Sequence, residues 1–91
     1  MACLPSRTVK SNGLEIHWEI PSGDAGYKTW STSWIGTPRV IFVTSKTQPG
    51  DKSRGSWGFI RAGYEKTQYF VDPSHALVEA SKTAYVVGIG Y

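Results

Sequence analysis

The residues best suited to binding chemistry form a cluster of charged and aromatic side chains in the second half of the chain. Its members are Asp51, Lys52, Arg54, Trp57, Arg61 and Tyr64. An exposed tryptophan or tyrosine ring can stack on the apolar face of a sugar, while neighbouring charged groups bond its hydroxyls. The cluster therefore predicts a sugar-recognition surface, and a plain solvated loop is the alternative interpretation.

The segment 72–76 supplies two further candidate ligand contacts, Asp72 and His75. His75 is expected in a turn, where a ligand contact and a local hydrogen bond are both compatible with its position. Asp72 could instead cap a short helix that has Pro73 at its first position, and the residues from His75 onward could also form a short strand. Both residues are included in the predicted binding site.

The other reactive residue types do not form a catalytic or metal-binding pattern. His17 lies between Glu15 and Glu19 on the polar side of a predicted strand, where a solvated or cross-strand paired histidine is expected. No serine has the context of a strained Gly-x-Ser-x-Gly turn, and the glycines of 88–90 precede no helix that could complete a dinucleotide site. Cys3, the single cysteine, has no ligand spacing to a histidine. We expect no enzyme activity, no metal and no cofactor.

The length and charge restrict the class of protein. A domain of 91 residues buries only about 60 to 65 % of the surface of its unfolded chain. One cysteine cannot form an internal disulfide, so we expect support from other subunits. The net charge of +3 is spread along the chain, which disfavours a nucleic-acid partner, although an oligonucleotide-binding barrel is an alternative. No segment resembles a signal peptide or a membrane span, so we expect no membrane insertion.

The elements that would position these residues are strands. Ten glycines, five tyrosines and four tryptophans are typical of an all-β protein. Strands are predicted at 14–20, 27–34, 39–45 and 84–91, with a hairpin around residues 65–66 and an exposed loop at 46–56. We expect a compact antiparallel β-sandwich of six to seven short strands over 11–91, with 1–10 as an N-terminal extension or linker.

The alternation within the strands predicts which side chains face the core. In 14–20 the apolar residues are expected to face inward and Glu15, His17 and Glu19 outward. The apolar run 40–43 predicts a strand covered on both faces. Tyr85, Val87, Ile89 and Tyr91 are expected to fill the core, and Gly88 and Gly90 to admit a neighbouring strand or subunit. The predicted core also contains Trp18, Trp30, Trp34 and Phe42.

Three motifs in order resemble the C-terminal domain of bacteriophage tail-fibre proteins. SNGLEIHWEI at 11–20 is similar to that domain's opening, KTWSTSWIGTPRVIFVTS at 28–45 to its middle, and AYVVGIGY at 84–91 to its closing strand. The chain departs from the family at Tyr85, where tryptophan is usual, at Glu19, where glycine is usual, and in the pair Trp30 and Trp34, which replaces phenylalanines. The aromatic exchanges preserve a core, and Glu19 affects only a local turn.

The resemblance implies a homotrimeric fibre tip on the virion that binds a receptor on the bacterial surface during host adsorption. The receptor is expected to be an outer-membrane receptor or a glycan such as lipopolysaccharide. The chain also resembles, more distantly, the H-type lectins, which are trimeric sugar-binding sandwiches. A structural trimerisation or capping element without a ligand is the alternative. The family's recognition residues lie in variable loops, so the resemblance assigns no individual binding residue.

Overall fold

Seven strands in two antiparallel sheets make up the computed structural model, which describes residues 5–21, 24–45, 56–73 and 84–91. The strands are β1 (Ser6–Val9), β2 (Glu15–Glu19), β3 (Gly26–Thr29), β4 (Pro38–Ser45), β5 (Trp57–Ile60), β6 (Gln68–Asp72) and β7 (Ala84–Gly90). One sheet has the order β1-β2-β7-β4 and the other the order β3-β6-β5. The described residues form no helix, and accordingly none that is suited to crossing a membrane. The prediction of an all-β, sandwich-like fold is confirmed.

Several element boundaries differ from those predicted. Residues 6–9, placed in an extension or linker, form β1 and pair with β2 across a turn in which Gly13 has a φ of 87°. The strand predicted over 27–34 ends at Thr29, and residues 30–37 form the connection from β3 to β4. The hairpin around residues 65–66 is present as β5 and β6. Most of the predicted 46–56 loop and the ambiguous segment after Pro73 lie outside the described residues.

The polar side chains of β2 face the interior, which reverses the predicted orientation of this strand. Glu15, His17 and Glu19 are buried, and the His17 side chain is completely shielded from solvent. Ile16 and Trp18, which were expected in the core, point to the outer side and are half-buried. Burial of these polar groups is possible because each carboxylate receives hydrogen bonds from the segment after β3.

β7 is reversed in the same way. Ala84, Val86, Gly88 and Gly90 are buried, whereas Tyr85, Val87 and Ile89 are half-buried on the outer face and Tyr91 is exposed. At Gly88 a Cβ atom would lie 2.6 Å from the ring of Trp30, so this glycine makes room for an aromatic ring rather than a strand. At Gly90 a Cβ would collide with the backbone of Thr37. Close approach of another backbone is therefore confirmed at Gly90 and wrong at Gly88.

The hydrophobic core between the sheets contains Trp30, Trp34, Tyr69, Val71, Ala84 and Val86. The predicted burial of Trp30 and Trp34 is confirmed. The predicted burial of Phe42 is wrong, because its side chain is 54 % exposed, and Trp18 is only half-buried. The expectation that β4 is covered on both faces is also wrong, since Val40 and Phe42 point outward. Space between the sheets is filled instead by the two tryptophans of the β3–β4 connection.

The outer face of the four-stranded sheet is consequently apolar. Trp18, Val87 and Phe42 are adjacent across three strands, and Ile16, Ile89 and Val40 form the next row. We call these six residues the outer apolar face. Its other strand neighbours are Ser6 and Thr8 on β1, and Tyr85 and Thr44 on β7 and β4. None of these outward positions carries a charged side chain.

Candidate functional site

The outer face of the three-stranded sheet carries four adjoining aromatic rings, which we call the aromatic platform: Tyr27, Trp57, Phe59 and Phe70. Tyr27 on β3 and Phe59 on β5 are both register partners of Phe70 on β6. The rings of Phe59 and Phe70 are stacked with centroids 5.0 Å apart, and Trp57 lies 5.2 Å from Phe70. Tyr27 meets Phe70 edge-to-face at 5.5 Å. The platform therefore spans the full width of this sheet.

The platform is open to solvent. Tyr27, Trp57 and Phe59 are 51 %, 50 % and 42 % exposed, and Phe70 between them is half-buried. Exposed aromatic side chains in a contiguous group are characteristic of binding surfaces, because such a group gains free energy when a ligand covers it. The rings come from strands rather than from loops, so the shape of the platform is set by the sheet itself.

One end of the platform is formed by Arg61. Its guanidinium lies 4.3 Å from the ring centroid of Tyr27 and 4.3 Å from that of Tyr64, so it contacts both rings. Its Nη1 donates a hydrogen bond of 2.5 Å to Oε1 of Gln68. Cation–π contacts of this type contribute about 0.5 to 1 kcal/mol each at exposed sites. The Arg61 side chain is thus held in one orientation beside the platform.

The turn between β5 and β6 positions Tyr64. The N–H of Tyr64 bonds to the carbonyl of Arg61, and the N–H of Gln68 bonds to the carbonyl of Tyr64 at 2.8 Å. Gly63 adopts a φ of 84°, a conformation that favours glycine, and its N–H donates to the Glu65 carboxylate. That hydrogen bond lowers the pKa of Glu65. Nε1 of Trp30 bonds to the Glu65 carbonyl, which ties the turn to the core.

Three of the predicted site residues meet at this surface. Trp57 belongs to the platform, while Arg61 and Tyr64 form its end. Asp72 lies beside Trp57 in the β5–β6 register but is only 8 % exposed, so its side chain offers little surface to a ligand. Asp51, Lys52, Arg54 and His75 lie outside the described residues.

Four residues of the surface, Tyr27, Phe59, Gln68 and Phe70, are absent from the predicted site. The signal that could have identified Phe59 is the two-residue spacing of Trp57, Phe59 and Arg61, which places all three on one face of a strand. The same spacing relates Gln68 to Phe70. Only the pairing of β3 with β6 brings Tyr27 to this group, and that pairing joins segments far apart in sequence.

A second group of reactive side chains lies in the interior and serves the fold. Burial raises the pKa of Glu15, but hydrogen bonds from Gly36, His17 and Ile35 outweigh that effect, and its pKa lies below the ordinary value. Burial, with the hydrogen bond to Glu19, strongly raises the pKa of Tyr69. These side chains are almost completely buried, and Glu19 and Tyr69 also line a cleft together with Lys28 and Ser31.

Comparison with known proteins assigns this chain to no family, and its described residues show no group of metal ligands. No protein-family model matches the chain, and no significant match occurs among curated proteins or solved structures. Within the described ranges, no three acidic, histidine or cysteine residues are grouped in a way that could hold a metal ion. The candidate site is therefore defined by its geometry alone, as an aromatic surface bordered by one arginine.

Proposed function

We propose that this protein is the receptor-binding tip domain of a bacteriophage tail fibre and that it binds a glycan of the bacterial surface, such as lipopolysaccharide, during host adsorption. The observation that carries the binding function is the aromatic platform with Arg61 at its end. The resemblance of three sequence motifs to those of tail-fibre C-terminal domains supports the proposal of a fibre tip on the virion. The domain acts by reversible binding and not by catalysis.

The platform suits a sugar because of its chemistry. The C–H groups on one face of a pyranose pack against an aromatic ring, while its hydroxyls need hydrogen-bond partners. The exposed rings of Tyr27, Trp57 and Phe59 supply the first kind of contact. Gln68, Arg61 and the Tyr64 hydroxyl supply polar groups at the edge. Because the rings belong to paired strands, the backbone that carries them needs little further ordering when the ligand binds.

A homotrimer is the second part of the proposal, with the outer apolar face as the subunit interface. This face belongs to the sheet that does not carry the platform, so assembly through it leaves the ligand-binding rings accessible. Phe42 and Val40 are exposed there in the single chain, and burying such groups favours association by about 25 cal/mol per Å². Three linked platforms would convert weak individual binding into avidity for a repetitive glycan surface.

The glycan-binding function is tested by adsorption of the purified protein to host cells and by binding to an array of bacterial surface polysaccharides. Trp57→Ala and Phe59→Ala should each lower binding at least about tenfold, because they remove stacking surface. Ile35→Ala is the matched control, since Ile35 is an exposed apolar side chain in the β3–β4 connection. Wild-type binding by both platform variants would contradict the proposal, as would absence of binding to every glycan and cell.

The assembly is tested by native mass spectrometry. Phe42→Asp introduces a charge at the proposed interface and should convert the trimer to monomer. Phe59→Asp makes the same chemical change on the other sheet and should leave the mass unchanged, because Phe59 is exposed on the platform. A wild-type protein that is monomeric, or a Phe42→Asp variant that stays trimeric, would contradict the interface.

The outer apolar face also favours a second function, a trimerisation or capping element of a fibre with no ligand. The two functions differ in one result. If the wild-type protein is a trimer that adsorbs to no cell and binds no glycan, the domain is structural. Cell adsorption that survives Trp57→Ala would instead show that the proposed binding surface is wrong. If Trp57→Ala abolishes binding and the trimer persists, the domain is a receptor-binding module, as in the H-type lectins that it distantly resembles.

A further inference from the structure

We infer that the glycan bound at the aromatic platform is acidic and that Arg61 binds its anionic group, a carboxylate or a phosphate. The inference rests on the proposed glycan-binding function and names the class of sugar. It follows from the way in which the Arg61 guanidinium is held, from the charges around it and from its position next to the rings.

The guanidinium of Arg61 has N–H donors that a ligand could accept. The rings of Tyr27 and Tyr64 each lie 4.3 Å from the guanidinium and hold it beside the platform. Its Nη1 is bonded to Gln68, the one hydrogen-bond partner of this guanidinium within the described part of the chain. A guanidinium has five N–H donors in a planar fork, so donors remain along the edge. This fork matches the paired oxygens of a carboxylate or phosphate.

The orientation of the fork is established before a ligand binds. Gln68 belongs to β6, Tyr27 to β3, and Tyr64 to a turn closed by backbone hydrogen bonds, so three separate elements fix the Arg61 head group. A free arginine side chain loses rotamer entropy when it is ordered by a ligand. Part of that cost is already met here, which favours a specific ionic contact over a diffuse attraction.

Few carboxylates on the outward side of the three-stranded sheet and its adjoining turn would oppose an anion bound at Arg61. The outward positions of the three-stranded sheet hold one carboxylate, Asp72, which is largely buried and pairs in register with Trp57 at the other side of the platform. Glu65 lies in the Arg61–Gln68 turn, and its carboxylate accepts the Gly63 N–H. It is the acidic group on this turn that would oppose a bound anion, so neutralising it should strengthen binding.

Arg61 is also in contact with the stacking surface. Tyr27 touches the guanidinium on one side and meets Phe70 and Phe59 on the other. A sugar ring placed on Tyr27 or Phe59 would carry its acidic substituent toward the edge of the guanidinium. One acidic residue of a glycan could therefore use both interactions, stacking for its ring and a forked hydrogen bond for its anionic group.

The test uses an array of bacterial surface polysaccharides with neutral and acidic repeat units. Each acidic member is also presented after carboxyl reduction and after removal of phosphate, so that the two possible anionic groups are distinguished. The wild-type protein should bind acidic members at least about tenfold more tightly than the matched derivative that lacks the anionic group. Loss on carboxyl reduction assigns a carboxylate, and loss on phosphate removal assigns a phosphate.

The variants separate charge from geometry. Arg61→Gln should abolish the preference for acidic members, and Arg61→Lys, which keeps the charge but loses the fork, should reduce it several-fold. Glu65→Gln should increase binding to acidic members. Arg39→Gln is the matched control, because Arg39 also lies over a tyrosine ring, 4.4 Å from that of Tyr91, but belongs to the other sheet. Unchanged thermal unfolding of each variant shows that its fold is intact.

The possible failures are distinguishable. Equal binding of acidic members and their uncharged derivatives, with Arg61→Gln as effective as wild type, would overturn the acidic-glycan inference and leave glycan binding in place. Binding of no array member would overturn the proposed function itself. Preferential binding of a single-stranded oligonucleotide, whose bases also stack on aromatic platforms, would overturn both.

Discussion

The imidazole of His17 is stacked on the indole of Trp34 inside the sandwich, with centroids 3.6 Å apart and planes within 11°. His17 Nε2 lies 2.6 Å from Oε2 of Glu15, whose Oε1 accepts the Gly36 N–H at 2.7 Å. The polar side chains of β2 therefore contact both the side chains and the backbone of the connection between β3 and β4. This arrangement holds the two core tryptophans over β7.

Loss of the Glu15 carboxylate should destabilise the fold. Glu15→Gln removes acceptor capacity for the N–H groups of Ile35 and Gly36, and loss of a hydrogen bond to a charged group costs about 1.5 to 3 kcal/mol. The free energy of unfolding from urea titration at pH 7 measures the effect. Glu65→Gln, at a carboxylate in an exposed turn, should change it by less than about 0.5 kcal/mol. Equal losses in the two variants would contradict this role for Glu15.

The contribution of Glu15 should also depend on pH. Its pKa in the folded protein lies below the ordinary value of 4.5, so the folded state binds its proton less readily than the unfolded state. The stabilisation is thus complete above pH 4.5 and is lost as the pH falls through the folded-state pKa. Urea titrations between pH 7 and pH 3 should show a steeper decline for the wild type than for Glu15→Gln. Parallel curves would exclude Glu15 as a source of the acid sensitivity.

The hydrogen bond between Tyr69 and Glu19 should couple the two sheets energetically. The Tyr69 hydroxyl donates to Oε2 of Glu19 at 2.6 Å, and both side chains are buried. Tyr69→Phe and Glu19→Gln should each cost about 1.5 to 3 kcal/mol, as expected for a buried hydrogen bond to a charged group. A double-mutant cycle should give a coupling free energy of about 0.5 to 3 kcal/mol. Tyr27→Phe is the control tyrosine, and strictly additive losses at 69 and 19 would contradict the coupling.

The two buried glycines of β7 should differ in their tolerance of alanine. Gly88→Ala would press a methyl group against the ring edges of Trp30 and Trp34, which can shift slightly, so a cost of about 1 to 3 kcal/mol is expected. Gly90→Ala would meet the Thr37 backbone, which is fixed by paired hydrogen bonds with Tyr91, and should cost more. Thermal and urea unfolding of both variants check the order. The reverse order would show that the Trp30 and Trp34 rings are the more rigid neighbours.

The sequence predicted the strands more reliably than the site. β2 and β7 follow from alternation, β4 from a continuous apolar run and the β5–β6 hairpin from two strand-like runs around a turn; each of these signals acts over a few positions. The sequence predicts Trp57, Arg61 and Tyr64 as candidate recognition residues because they are aromatic or basic and close in sequence. Tyr27 and Phe70 were missed, since their place beside Trp57 depends on how β3, β6 and β5 pair.

Sequence by itself determined that β2 and β7 each have one polar or small face and one bulky apolar face. It did not determine which face turns inward, because alternation is the same for either choice. Tertiary structure decided this by supplying partners for Glu15 and Glu19 from Gly36, Ser31 and Tyr69. Trp30 and Trp34 fill the interior above Gly88, so the larger residues of both strands remain on the outer apolar face. A buried charge is stable when its hydrogen bonds are satisfied, and only the folded chain brings those donors together.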